Sequence, residues 1–402
     1  MAGTAAPRST GDATASATAF ATSFASISAI PCGTSQADAY GTSRSTRITR
    51  PALAAAAAAL LLSACSTTPL QPTSPVTVQP PPAAEAPVVT PRMQAARTAL
   101  DAIVTQQDRL YRVAAPLLIN NVDLCRTAAR GLLGFTAKNK WSYPGEYADA
   151  ASAVLGYDDA LRVSGVLAGS GAARAGLRKG DILVAADGKA LPTGPGAETA
   201  AAGVFAPLVS GRTQLSMTIG RNGQNQVLKV PVTRACAMRV DLANADNVNS
   251  HADGGRIAVT RGMIAFAGSD EALAYVLAKD IAHNVLGHTA VTRNTGAVAA
   301  IIDNVTRVQP DQAQLAGAGN VKPLPANLEV SADTLALYML ARAGYGVERY
   351  KAFWQRLAAQ YPASVPNGYM AVHPNLAPRL TAIDKVVADI KAKQSAKKPL
   401  VP

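Results

Sequence analysis

Apolar residues recur at helical spacing between Met93 and Asn121. Ala99-Leu100, Ile103-Val104, Leu110, Val113 and Leu117-Leu118 fall three or four positions apart and mark one helix face. The pattern changes after Trp141-Ser142-Tyr143-Pro144-Gly145, where short β-like runs begin to alternate with turn residues. Asp187-Gly188 is a hairpin signal, and Leu215 to Ile219 and Val227 to Val232 read as strands split by Asn222-Gly223. Further on, Ile257 to Ile264 reads as a strand and turn. Ser269 is a good helix N-cap, followed by Asp270 and Glu271 in the first turn, and a long helix is expected from there through His288. The apolar run from Ala52 to Leu62 stands apart, since it is too short to span a bilayer.

Length and charge refine this picture. The 402 residues suffice for two modest domains with tails, and 49% hydrophobic content suits a globular body. Lys+Arg number 38 against 26 Asp+Glu. Such a surface is attracted to an anionic membrane. Nucleic acid is not the expected partner, because no basic-aromatic cluster occurs.

The N-terminal region addresses the chain. Arg44, Arg47 and Arg50 precede the short apolar run, which ends in Leu62-Ser63-Ala64-Cys65. This resembles a bacterial lipoprotein signal with its lipobox, and the resemblance implies cleavage before Cys65 and lipidation of that residue. An ordinary secretory signal with an incidental cysteine is the other reading. Ser66 in place of an aspartate favours the periplasmic face of the outer membrane of a Gram-negative bacterium. Residues 1–64 are thus an extension plus signal, and residues 65–92 a proline-rich tether. In an oxidising periplasm Cys125 and Cys236 are disulfide candidates; two buried free thiols are the alternative.

Residues 93–149 form an N-terminal helical segment in this reading, and residues 150–236 a β-rich domain. Its informative stretch runs Ser170-Gly171-Ala172-Ala173, then Ala175-Gly176-Leu177-Arg178-Lys179-Gly180-Asp181-Ile182-Leu183. This resembles a PDZ domain of the protease-associated type. Gly176 and Gly180 are placed where a helix end and a turn need positive φ. The resemblance implies binding of peptide or protein C-termini by strand addition. Leu155-Gly156-Tyr157 is the candidate carboxylate loop.

Residues 240–395 carry the second resemblance. The helix from Ser269 includes Lys279-Asp280-Ile281-Ala282-His283. Glu329-Val330-Ser331-Ala332-Asp333 follows, and then His373-Pro374 and Arg379. This looks like the HtpX/BepA-type zinc metallopeptidases, which include the CAAX prenyl proteases of the Ste type. The implied architecture is α+β: a gluzincin-like, mainly helical domain with the PDZ-like domain inserted behind the N-terminal helix. In that family H-E-x-x-H supplies two zinc ligands and a general base. The resemblance makes His283 and Glu329 metal ligands and puts Asp333 in support. His373 and Arg379 border the reaction centre, and Asp280 stands at the general-base position.

The central motif departs from the family. Lys279 stands at the first-ligand position, and a lysine ammonium offers no lone pair to a metal. Asp280 is one methylene shorter than the usual base. A five-residue helical step from His283 to His288 turns the two imidazoles apart by about 140°, which argues against co-ligation. Zinc is therefore expected weakly or not at all. Lys279 is read either as a cation that replaces the metal against Glu329 or as a drifted residue snorkelling to solvent. The first functional reading is a periplasmic binding or scaffolding lipoprotein in envelope quality control. The second is an active zinc metalloendopeptidase with an unusual ligand set.

Overall fold

The computed structural model describes residues 89–288, 323–374 and 376–402. The lipidation candidate Cys65, the signal around it and nearly all of the tether lie outside them. Every described residue falls in one compact unit, Pro82–Pro402.

Helix α1 (Pro91–Ile119) starts where the tether was expected to end. Thr90 caps it by accepting from the Met93 N–H, and Pro91 takes the first turn, where its missing N–H does no harm. Its N-terminal half buries Ala96 and Leu100 against Ala150, Ala151 and Tyr157. Leu110, Val113 and Leu117 of its C-terminal half enter the main core. One helix thus braces both halves of the molecule.

The β-rich part runs β1 (Ala129–Leu132), β2 (Phe135–Lys138), α2 (Glu146–Leu155), β3 (Arg162–Val166) and α3 (Gly171–Arg174). It continues with β4 (Ile182–Ala186), β5 (Lys189–Ala190), α4 (Ala197–Gly211), β6 (Gln214–Arg221), β7 (Gln224–Pro231) and β8 (Thr233–Cys236). Six strands form one sheet in the order β2-β3-β4-β6-β7, with β5 paired to β4; β1 and β8 form a separate antiparallel pair. Both expected hairpins are present. Asp187-Gly188 has φ of 48° and 79°, and Asn222-Gly223 has 51° and 75°, as two-residue turns require. Gly176 and Gly180 adopt φ of 80° and 92°. The sheet takes in β2, so it reaches upstream of the boundary expected at residue 150. Leu161, Val163, Leu183, Phe205, Met217 and Ile219 fill its core.

At the end of β8 a disulfide ties Cys236 back to Cys125 ahead of β1, with Cα atoms 5.5 Å apart, and the chain passes into the second body. That body opens with β9 (Arg239–Ala243), β10 (Ser250–Ala252) and β11 (Arg256–Thr260), in the order β10-β11-β9. Helix α5 (Arg261–Ala267) follows directly, so the expected turn is a helix start. Thr260 caps it, and a side chain on Gly262 would run into the Asp246 carbonyl. The remaining helices are α6 (Asp270–Val285), α7 (Ala326–Arg342), α8 (Tyr350–Gln360), α9 (Tyr369–Val372) and α10 (Leu376–Ser395). Ser269 caps α6 through Ala272 N–H. From Ala272 to Asn284 the α6 residues are buried all round, so this helix is the axis of the body. No described helix is long and apolar enough to cross a membrane.

Candidate functional site

Two places carry chemistry. The first is the centre of the helical body, where α6, α7, α8, α9 and α10 converge. Lys279 points inward from α6 and is fully buried. Its Nζ donates to Glu329 Oε2 at 2.5 Å and approaches Asp333 Oδ1 at 3.3 Å. Glu329 and Asp333 lie one turn apart on α7 and so share a face. Arg379 of α10 holds Asp333 with two bonds, Nε to Oδ2 at 2.5 Å and Nη2 to Oδ1 at 3.1 Å. The Tyr350 hydroxyl donates to Asp333 Oδ1 at 2.7 Å. The ring of Trp354 lies 5.2 Å from Lys279 Nζ and 5.0 Å from the Arg379 guanidinium carbon, so one indole supports both cations. The snorkelling reading of Lys279 is thereby corrected: the helix face that carries it has no solvent to reach.

The histidines close the other side. His373 Nδ1 sits 2.6 Å from Glu329 Oε1 and its ring stacks on Tyr369 at 4.1 Å. His283 Nε2 is 3.6 Å from the same oxygen and has no hydrogen-bond partner among the described residues. His288 returns to His283, Nδ1 to Nδ1 at 3.1 Å, which corrects the expected divergence. The 140° argument assumed a continuous helix, but α6 ends at Val285 and Gly287 at φ 72° turns the chain back. His251, on β10, is buried beside His373.

Burial sets the charge states. It pushes His251 down to about 4, and holds His283, His288 and His373 below the ordinary imidazole value. These rings are neutral near pH 7, so His373 donates Nδ1–H to Glu329. Burial alone would raise the Glu329 carboxyl, but His373, Lys279 and Arg379 around it hold it far below the usual range. Asp333 is lowered against the same burial effect, by Lys279 and Arg379. Burial and Arg379 press Lys279 down while Asp333 and Glu329 hold it up. The net result is a value below the ordinary lysine range, while the two carboxylates on its Nζ favour the charged form. Asp280 is buried beside this network, next to Ser250. Burial raises it to about 7, and its Oδ2 has no bonded partner among the described residues.

Metal fit can be judged from these atoms. His283, Glu329 and His373 each offer a donor atom, all within 4.8 Å of one another, a cluster that could hold a metal ion. The surrounding charge argues otherwise. Lys279 and Arg379 already balance Glu329 and Asp333, and a divalent cation would leave the buried cluster with a net positive charge of two. The set does not fit zinc in the manner the helix motif implies.

The second place is on the six-stranded sheet. Strand β2 is an edge: β3 pairs with one side, and no described strand pairs with the other. Helix α4 lies opposite, with Phe205 edge-on to Phe135 at 5.9 Å. At one end the Leu132-Leu133-Gly134-Phe135 loop turns on Gly134 at φ 78°, where a side chain would come within 2.5 Å of Ser170 Cβ. At the other, Lys138 of β2 pairs with Glu198 of α4 at 3.6 Å.

The residues expected to form a carboxylate loop, Leu155-Gly156-Tyr157, form a helix end instead. Leu155 ends α2, Gly156 is its left-handed C-cap, and Tyr157 is buried against α1. Leu-Gly-Tyr there is a helix stop with a core anchor. The loop before β2 reads Leu-Leu-Gly-Phe, an apolar run broken by one glycine at the start of a strand.

Comparison with known proteins joins the two places. Residues 225–387 match Peptidase family M48, and residues 162–202 match a PDZ domain. The chain carries a peptidase M48 family domain and a PDZ domain. The mitochondrial metalloendopeptidase OMA1 of Schizosaccharomyces pombe is 25% identical over 147 residues, 35% of this chain and 44% of OMA1. The chain therefore spans under half the length of that relative. A solved structure, the HtrA-type protease AlgW with decapeptide, is 27% identical over 26% of this chain and 30% of that one, at a TM-score of 0.19. The M48 match covers Lys279, Asp280, His283, Glu329, Asp333, His373 and Arg379. The buried cluster thus lies within the M48-matched residues, with a lysine at its centre.

Proposed function

We propose that this protein binds the C-termini of peptides or proteins through its PDZ groove and uses its M48 domain as a non-hydrolytic body. The observation that carries the reading is the free edge of β2 opposite α4, with the Leu132 to Phe135 loop at its end. An extended peptide can add to that edge as a strand, and its carboxylate can sit on the backbone N–H groups of the loop. The arrangement asks for a chain that ends in an apolar residue, because Phe135 and Phe205 line the groove at the loop end. Lys279 supports the second half of the reading, since peptide hydrolysis on zinc needs three ligands and an open position.

The sequence upstream supplies the setting. Cys65 is the proposed lipid anchor, residues 65–92 the tether, and the periplasmic face of the outer membrane the location. A peptide-binding lipoprotein there suits a role in envelope protein quality control or scaffolding. The competing reading is an active metalloendopeptidase, favoured by the clustering of His283, Glu329 and His373.

Binding of fluorescent C-terminal decapeptides to the full-length chain tests the first reading. Peptides with an apolar last residue are expected to bind at micromolar strength, and a Phe205→Asp variant is expected to lose them. A peptide panel that binds the variant as well as the parent would sink the groove. Incubation of the same peptides with zinc decides the competing reading, since cleavage products would make the M48 domain an enzyme.

A further inference from the structure

We infer that the Lys279 ammonium is a built-in replacement for the metal, so that the M48 domain of this chain folds and closes around an internal cation. The inference rests on the reading of the domain as non-hydrolytic and says what took the place of the lost ion.

Reach is the first argument. The four-carbon stem of lysine extends about as far as an imidazole plus a metal–nitrogen bond of about 2.1 Å. A lysine at the first-ligand position therefore places its charge near where a histidine there would hold the metal, not where the histidine's own nitrogen would be. Lys279 does so: its Nζ is on Glu329 Oε2 at 2.5 Å.

Saturation is the second. Glu329 Oε2 is taken by Lys279, and Oε1 by the Nδ1–H of His373. A His373 that donates from Nδ1 has no lone pair there for a metal. Asp333 is filled by Arg379 and Tyr350, with Lys279 close by. Of the three clustered donors, only His283 Nε2 is uncommitted.

Charge is the third. Two buried cations face two buried carboxylates, and none of the four is more than 1% exposed. With the neutral histidine expected of the family in place of Lys279, the same groups would carry an excess negative charge that a divalent ion could satisfy. With lysine they do not.

The three arguments predict reciprocal behaviour of lysine and metal. The full-length chain, purified without chelator, should contain no stoichiometric metal by elemental mass spectrometry. Its melting temperature should not change with zinc or with chelator. Lys279→Met should melt roughly 10 °C lower, because a buried carboxylate loses its partner, and added zinc should recover part of that loss. Lys279→His should bind one zinc per chain and melt lower when stripped of it, which keeps the test available if the methionine variant does not fold. About one metal ion per wild-type chain would overturn the inference. So would a methionine or metal-free histidine variant that melts with the wild type. Peptide hydrolysis by a metal-free wild type is a separate result: it would remove the non-hydrolytic reading and leave the internal cation in place.

Discussion

The two chemical places in this molecule are opposites. In the PDZ region the outer edge of β2 pairs with no described strand, while the adjoining loop is held by bonds from Leu167 N–H and the Ser170 hydroxyl to the Gly134 carbonyl. In the M48 domain both oxygens of Glu329 and both of Asp333 are already bonded to side chains of the same chain. One place keeps a strand edge unpaired; the other satisfies its carboxylates internally. A buried carboxylate pair left alone is costly, and some cation must accompany it.

The strongest way to sharpen the contrast is to damage the filled site and watch the open one. Arg379→Ala removes two bonds from Asp333 and a cation from above Trp354, all fully buried. A loss of about 3–5 kcal/mol in denaturant unfolding is expected. Peptide affinity, measured below the unfolding transition, should be unchanged. A variant as stable as the parent would mean that the charge network is not holding the domain together.

Asp280 gives the next effect, and its sign is opposite to that of a paired carboxylate. Burial raises it to about 7 from 3.8. The folded state therefore binds its proton more tightly than the unfolded state, and stability falls as pH rises from about 4 through 7. The full effect is about 4 kcal/mol. The histidines act in the other direction: their folded values are depressed, so their contribution is present above about 6.5 and is lost as pH falls toward 4. Comparing Asp280→Asn with the parent across pH isolates the carboxyl. The variant should match the parent near pH 4 and exceed it above pH 7. A stability difference independent of pH would show that Asp280 is ionised throughout.

The disulfide tests whether the two places are mechanically tied. Cys125 and Cys236 close a loop with a sequence separation of 111, joining the segment after α1 to the end of β8 across the base of the β-rich part. Replacing both with serine should lower stability by about 2–4 kcal/mol. Separate unfolding transitions for the two bodies after that change would show that the bridge, with α1, makes them one cooperative unit.

The same contrast explains what the sequence disclosed. Turn chemistry was legible because it is local: Asp187-Gly188, Asn222-Gly223, Gly176 and Gly180 each declare a positive φ by residue type. The α6 N-cap and the spacing from Glu329 to Asp333 were legible for the same reason. What needed three dimensions was what a residue meets. Lys279 reads equally as a surface residue or a buried one until α7, α8 and α10 surround it. Trp354, Tyr350 and Tyr369 gave no sign that they floor the charges. His288 was misread because one glycine ended the helix early. Leu155-Gly156-Tyr157 was read as a loop because Leu-Gly is common to a carboxylate loop and a helix C-cap, and only the helix before it separates them.

The smallest effect bears most directly on function. If the loop at Gly134 captures a terminal carboxylate, amidating the peptide C-terminus removes a charged acceptor while leaving the strand pairing along β2 intact. Bonds to a charged group contribute about 1.5–3 kcal/mol, so affinity should fall by roughly ten- to a hundredfold. A Gly134→Val substitution should reproduce the loss with free peptides, since a side chain there collides with Ser170 and φ 78° is unfavourable for valine. Equal affinity for free and amidated peptides would instead mean that β2 accepts internal strands. The open place would then be a general strand acceptor, and the apolar pair Phe135 and Phe205 would select side chains without selecting an end.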